Sequence, residues 1–484
     1  MEAPQSWMDH LQISSIFGQN PRTVLVAVGL ALSTVAVARW FKSYLRRWRL
    51  QRAVDQKQCS RAKQLESLTV DRKKDDPELR QKILQLGFED LRAALQSGDL
   101  KAVDVLHAFQ WAAIAAQART NAVTAFEPEA ERWAEQLDAK YNSNGKEQKP
   151  PLFGLPFSVK ESIAMKNHCA TRGYASTLLQ PPSAQDAVLI RCLKELGAVP
   201  FVRTNVPQSL LSFTCSNPVY GRTTHPMGPG RTPGGSSGGE AALLACAGAP
   251  FGMGGDVGGS IRIPAHFCGV VGIKPSHLRL SQLGSQGSVP GRPLICASVG
   301  PMAPSVDAVV AVMQALLSPS SVSAMTQLDP YVTPVPFREE LYRAESRKRM
   351  RIGFYMDDGW FPAVPACKRA VAMAKAALEA AGHTLVPFEP LRPAEATKLF
   401  MGAVVVDEGR YLVNLLKQDI VDPMIAPGFR VYRLPSGLRR ALGWLVRPFS
   451  HRAYVSLTCL PRTTSDLRQI YEQIGNYRRD FMLQ

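Results

Sequence analysis

The sequence predicts an α/β fold: a central twisted mixed β-sheet covered by helices on both faces, preceded by one N-terminal transmembrane helix. Three observations predict it. From residue 152 onward, short apolar strand signals alternate with helical periodicity, the pattern of a mostly parallel or mixed sheet under helices. Two glycine-dense loops, each holding a serine, interrupt that alternation at 233–239 and 254–260. Residues 23–38 carry no charged side chain and run directly into a basic cluster.

Composition bounds the class. The 484 residues are 45% hydrophobic and 20% charged, values typical of globular protein. The net charge of +17, from 57 basic and 40 acidic residues, calls for an anionic partner. No zinc-ligand pairing or RNA-binding signature accompanies it, so nucleic acid is set aside and a membrane surface is favoured. The nine cysteines are odd in number and lack short paired spacings, as free thiols in a reduced compartment would.

Along the chain, residues 1–22 form a tail. The apolar run 23–38 is slightly short of the ~20 residues that span a bilayer. Trp40 and Phe41 extend it and Arg39 can snorkel, giving a span over 23–41. Ala36-Val37-Ala38 resembles a signal cleavage site, but Glu2 and Asp9 lie in the leading segment. Arg39, Lys42, Arg46, Arg47, Arg49 and Arg52 follow the run and put its C-terminal side in the cytoplasm, making it an anchor. Residues 42–84 read as a charged helical juxtamembrane stalk and 85–484 as the catalytic domain.

Leu79, Ile83 and Leu86 mark a helix starting at Pro77, across the boundary from stalk to domain. Asp99 is a candidate N-cap for a helix through Phe109 and Ala116, and Glu127-Pro128 opens a helix to about Tyr141. Residues 142–149 form a polar surface loop. An apolar strand over 152–159 ends at Lys160, a position where a lysine is ordinarily a snorkelling surface residue. A helix over 186–196 stops at Gly197, and a buried strand follows at 199–202. The apolar stripe 208–213 is core by its pattern. A helix spans 240–247, with buried strands at 250–253 and 268–274. Strand and helix signals continue at 299–302, 306–317, 351–355, 365–381 and 383–387. Residues 319–348 read as a surface connection between a catalytic half and a lid-bearing half. In 424–462, Leu434, Leu438, Leu442, Leu445 and Val446 recur at helical spacing among Trp444, Phe449 and several arginines. That pattern suits a monotopic membrane cap or an ordinary packing helix.

The glycines bear on chemistry. A serine attacking a carbonyl needs open access, and the resulting oxyanion needs backbone N–H donors. In Val257-Gly258-Gly259-Ser260, successive amides could form an anion nest with Ser260 as nucleophile at its end. A flexible linker would not be embedded between a strong helix former and buried strands. A rival remains: Gly234-Gly235-Ser236-Ser237-Gly238 fits a nucleophile elbow, making Ser236 the nucleophile of a Ser-His-Asp lipase or esterase. The downstream histidines His266, His277, His383 and His451 sit in no evident loop motif.

The paired motifs Gly234-Gly-Ser236-Ser-Gly-Gly239 and Asp256-x-Gly-Gly-Ser260-Ile-Arg262, with Gly154-Leu-Pro-Phe-Ser-Val-Lys160-Glu161 upstream, closely resemble the amidase signature family from about residue 85 to the end. Thr204-Asn-Val-Pro-Gln-Ser209, Cys215-Ser-Asn-Pro218 and Phe267-Cys-Gly269 are similar to its vertebrate fatty acid amide hydrolases. The resemblance implies the amidase signature fold and a Ser-Ser-Lys triad, with Ser260 attacking, Ser236 relaying and Lys160 beneath both as base. It implies an oxyanion site at Val257, Gly258, Gly259 and Ser260, and substrate contact by Leu210 and, more weakly, Phe213. It further implies fatty acid amide substrates (N-acylethanolamines and oleamide), no cofactor or metal, a homodimer, and an internal membrane such as the endoplasmic reticulum. Gly255 stands where the family more often has Thr or Ser. Family members also continue past the position of Gln484, so an inactive truncated isoform that retains the fold is an alternative expectation.

Overall fold

The computed structural model describes residues 21–142, 147–291, 293–345 and 349–484. Residues 1–20 of the predicted tail, 143–146 of the polar loop and 346–348 of the predicted surface connection lie outside them. Among the described residues ten strands occur in chain order: β1 Val123–Phe126, β2 Pro156–Lys160, β3 Val199–Thr204, β4 Ser216–Asn217, β5 Gly221–Arg222, β6 Phe251–Asp256, β7 Val271–Gly272, β8 Ser298–Ala303, β9 Arg351–Phe354 and β10 Thr384–Pro387. Six of them form one mixed sheet in the order β1-β3-β2-β6-β8-β7. β2 lies inside it, parallel to β3 on one side and to β6 on the other, while β1, β8 and β7 pair antiparallel with their neighbours. Phe157 on β2 stacks on Phe251 on β6, with ring centroids 5.3 Å apart. A single large apolar core unites the sheet with the helices Ala102–Thr120, Val188–Glu195, Gly238–Ala245 and Val306–Leu316.

Several expectations need correction. Residues 123–126 form the edge strand β1, which the helical reading of the neighbouring segments passed over. Asp99 does not cap the helix that follows it. The carboxylate of Asp138, distant in sequence, accepts from the amides of Ala102 and Val103 at 2.8 and 3.0 Å. Residues 268–274 are a helix end followed by a two-residue strand, because Gly269 takes φ +70° after Cys268. The 319–348 stretch is no simple connection. Its helix Pro319–Leu328 buries Val322 and Met325 in the main core. β9 and β10 pair in parallel in a separate two-stranded sheet.

The N-terminal helix runs without a break from Pro21 to Arg72, so the predicted span and residues 42–72 of the predicted stalk share one helix, while the stalk's remainder holds a turn and the start of a separate helix, Pro77–Gln85. Its distal half is docked rather than free. Leu50 and Val54 are buried against Ala175, Val219 and Tyr220. Gln64 bonds both the amide and the carbonyl of Phe126, and Arg61 Nη2 reaches Asn121 Oδ1 at 2.6 Å. Upstream, Val28, Leu30, Leu32, Val35, Val37, Trp40 and Phe41 are exposed. The side chains of residues 21–25 and 27 in the predicted span lie outside the described residues. Among the described residues no single helix is long and apolar enough to cross a membrane. The bent pair Val306–Leu316 and Pro319–Leu328 passes by length and composition, but most of its apolar side chains lie in the core.

The 424–462 segment folds as the helices Ala426–Tyr432, Ser436–Val446 and His451–Thr458. Arg439 is not on a solvated face. It is buried against Glu408 and the carbonyl of Leu457. Leu438, Trp444, Leu445 and Phe449 are all exposed, beside the exposed Arg433, Arg447 and Arg452.

Candidate active site

Lys160 ends β2 and is 2% exposed. Its Nζ donates to Ser236 Oγ at 2.8 Å and to the carbonyl of Gly255 at 3.0 Å. Burial pushes its pKa down from 10.5 to about 8, against the opposing pull of Asp256. The surface-lysine expectation for this strand end is therefore set aside.

Two loops meet above the amine. The segment 233–237 leads into the helix Gly238–Ala245, and the segment 257–261 leads from β6 into the helix Arg262–Cys268. They are tied directly, since the amide of Ser237 donates to the carbonyl of Ser260 at 3.0 Å. Gly239 allows the close fit; a Cβ there would lie 2.3 Å from the backbone nitrogen of Asn205. The peptide bond between Gly235 and Ser236 is cis.

Asp256 is the hub of the second loop. Its carboxylate accepts from the amides of Gly259 at 2.7 Å and Ile261 at 3.0 Å, and from the Arg262 guanidinium at 3.0 Å through both oxygens. Burial alone would raise this pKa, but those donors hold it below the usual carboxylate range. The Gly259 amide is thereby committed to Asp256. Its φ of +112° places it at the turn, so Gly259 shapes the loop rather than facing the cavity. The amides of Val257, Gly258 and Ser260 make no hydrogen bond among the described residues.

Lys160, Ser236, Val257, Gly258 and Ser260 line one cavity of about 510 Å³, together with Leu210 and Phe213. Leu210 sits there in a left-handed turn, φ +57°, after Ser209 at φ +69°. The far wall comes from residues the sequence did not mark, among them Phe400, Val405, Leu412, Phe429 and Tyr432. Glu240 is a second unmarked group. It is fully buried beneath the loop, where Ser158 Oγ and Thr204 Oγ1 each donate to it at 2.6 Å, and burial pushes its pKa up to about 7. Among the described residues no histidine lines the cavity. Of the histidines the elbow reading would need, His383 accepts from the Met350 amide and His451 packs on Trp360, while His266 and His277 are exposed. That leaves Ser236 partnered by an amine rather than an imidazole.

The sequence profile of the family described as Amidase matches residues 104–457. The chain belongs to the amidase family. Fatty acid amide hydrolase 1 of Caenorhabditis elegans is 41% identical over 434 residues, covering 90% of this chain and 75% of that protein. Fatty-acid amide hydrolase 1 of Sus scrofa is 37% identical over 468 residues, covering 96% and 78%. A solved fatty acid amide hydrolase structure superposes with a TM-score of 0.71 at 25% identity, covering 88% of this chain and 70% of that one. An amide-hydrolysing activity follows from membership at this level of similarity.

Proposed function

We propose that this amidase is a membrane-bound serine hydrolase that cleaves fatty acid amides through an acyl-enzyme, with Ser260 as nucleophile, Ser236 as relay and Lys160 as base. The observation that carries the reading is the buried Lys160 amine, 2.8 Å from the Ser236 hydroxyl at the floor of a cavity with apolar walls. An amine with its pKa near 8 is partly neutral at physiological pH and can accept a proton.

Ser260 Oγ adds to the amide carbonyl as its proton passes through Ser236 to Lys160. The oxyanion is met by the amides of Val257, Gly258 and Ser260. The proton then returns through Ser236 to the leaving nitrogen, the C–N bond breaks, and an amine departs. Water attacks the ester, with Lys160 again taking a proton through Ser236; that proton returns to Ser260 Oγ as the acyl–oxygen bond breaks, and a fatty acid and free Ser260 result. Asp256 and Arg262 hold the loop and take no proton.

The acyl part of the substrate is argued from the surfaces around the site. Leu210, Phe213, Phe400 and Phe429 line the cavity, and the apolar face of Leu438, Trp444, Leu445 and Phe449 suits contact with a bilayer. The exposed apolar stretch of the N-terminal helix is read as an anchor in an internal membrane, with the catalytic domain on the cytoplasmic side. The relatives named fatty acid amide hydrolase support this substrate class.

The test is labelling of the purified chain with a fluorophosphonate probe, followed by peptide mapping, beside oleamide hydrolysis and a short-ester control. Labelling at Ser260, lost in Ser260→Ala, with oleamide turned over faster than the ester, is the expected result. Labelling at Ser236 instead would move the nucleophile, and an unlabelled, inactive chain would make it an idle relative.

A further inference from the structure

A second cavity, of about 580 Å³, lies away from the catalytic site, where the N-terminal helix first touches the domain. Tyr44, Arg47 and Trp48 of that helix form one wall, and Lys417, Asp419 and Arg433 belong to the other. Arg46 Nη2 donates to Gln418 Oε1 at 3.1 Å and bridges the two walls. Leu50, the first buried side chain of the helix among the described residues, follows within one turn.

The charge of this groove is not balanced from within. Among the described residues Arg47, Lys417 and Arg433 form no ion pair. The one carboxylate in the wall, Asp419, is 6% exposed and already engaged. It accepts from the amides of Ala175, Ser176 and Ile420 and from the Ser176 hydroxyl, all within 3.0 Å. Three exposed cations thus share a groove whose only acid among the described residues is committed elsewhere, next to Trp48 and Tyr44, each about half exposed.

Position selects the ligand. Arg47 lies six positions beyond Phe41, about 9 Å along the helix axis. A helix inserted up to its Trp40–Phe41 belt would hold the groove at headgroup depth on the cytoplasmic side, where anionic lipids concentrate. Amphipathic aromatic rings favour that same layer.

We infer that this groove binds the headgroup of an anionic phospholipid: its phosphate meets Arg47, Lys417 and Arg433, and its glycerol backbone lies against Trp48 and Tyr44. The site is separate from the amide-cleaving cavity. It rests on the membrane reading for its access to lipid, not for its chemistry. Filling it would clamp the exposed apolar helix to the domain and fix the catalytic cavity's orientation to the bilayer.

The experiment uses the full chain in non-ionic detergent, titrated with dioctanoyl phosphatidylserine, dioctanoyl phosphatidylcholine and inorganic phosphate. The expected result is saturable binding of the serine lipid alone, weakened roughly twentyfold to thirtyfold in K417Q/R433Q. That variant keeps its thermal midpoint and its hydrolysis of a short soluble amide. Equal binding by the variant, or no saturable binding, overturns the site. Tight binding of inorganic phosphate that displaces the lipid overturns the lipid assignment in favour of a free anion. Sedimentation with neutral phosphatidylcholine vesicles separates this from the membrane reading: a chain that ignores those vesicles but binds the soluble serine lipid sinks the anchor and leaves the groove.

Discussion

Removing the Lys160 amine tests the catalytic reading most directly. An ordinary lysine of pKa 10.5 would be neutral in about one molecule in 3000 at pH 7, whereas at a pKa of about 8 the neutral fraction is about one in ten. Burial therefore makes the base available about 300-fold more often. For the wild type, kcat/KM for oleamide is expected to climb about tenfold per pH unit below 8 and to level off above it. Lys160→Ala is expected to lose about 10² to 10⁴ in rate and to lose that inflection. Stability moves the other way. Because the folded-state pKa lies below the unfolded one, the buried amine disfavours the fold at every pH below about 8. The penalty is about 3 kcal/mol there and fades as pH rises from about 8 to 10.5. Urea unfolding of Lys160→Met should accordingly show a more stable protein at pH 7, with the advantage shrinking towards pH 10. A wild-type profile flat from pH 6 to 9, or one inflecting near 10, would refute the argument, as would a Lys160→Ala profile like the wild type's.

Glu240→Gln isolates the carboxyl beneath the loop. Its folded pKa is raised from 4.5 to about 7, so wild-type stability falls as pH rises through that window; the urea midpoint of the variant relative to wild type should climb between pH 5 and 8, and a constant difference would count against it. Asp256→Asn removes the charge that holds two amides and Arg262, and should lower stability by about 2 kcal/mol together with kcat, read by thermal unfolding and oleamide turnover; unaltered turnover would show that the loop holds its shape without it. Leu445→Ser with Phe449→Ser strips the most exposed part of the apolar face, and should slow hydrolysis of oleamide held in vesicles but not of a short soluble amide. Equal loss on both substrates would place those residues in folding rather than in membrane contact.

The sequence was most legible where the backbone itself does chemistry. Glycines that permit close approach leave a mark in the sequence, so the two serine loops stood out, and the resemblance that they carry pointed to Lys160. The far wall of the cavity left none. Phe400 and Phe429 are apolar residues on helices, and nothing in their spacing separates a core side chain from one that faces a cavity. Gly259 shows a finer limit. Its place in the nest motif suggested an oxyanion donor, yet whether its amide faces the cavity or Asp256 depends on one turn of backbone. Asp138 capping a helix 36 residues upstream, and Glu240 titrating near neutrality, likewise depend on burial and on long-range contacts that local pattern does not encode.

The parallel pairing of β2 with β6 joins the distant motifs. Val159 is in register with Met253, so the two strands finish at the same edge of the sheet. Catalytic loops of α/β folds collect at such edges because parallel strands deliver their C-terminal ends side by side. Lys160 is the last residue of β2, and the loop that carries Ser260 leaves directly from the end of β6 at Asp256. The period of two along a strand then decides which face the amine takes. A one-residue shift of β2 would turn Lys160 away from Ser236 and place Val159 or Glu161 there instead. The same register brings Ser158, on the other side of the pleat's alternation from Val159, under Glu240. One strand thus supplies both the proposed base, Lys160, and the polar support under Glu240, and the precision of that arrangement is inherited from β-sheet pairing rather than built by the loops.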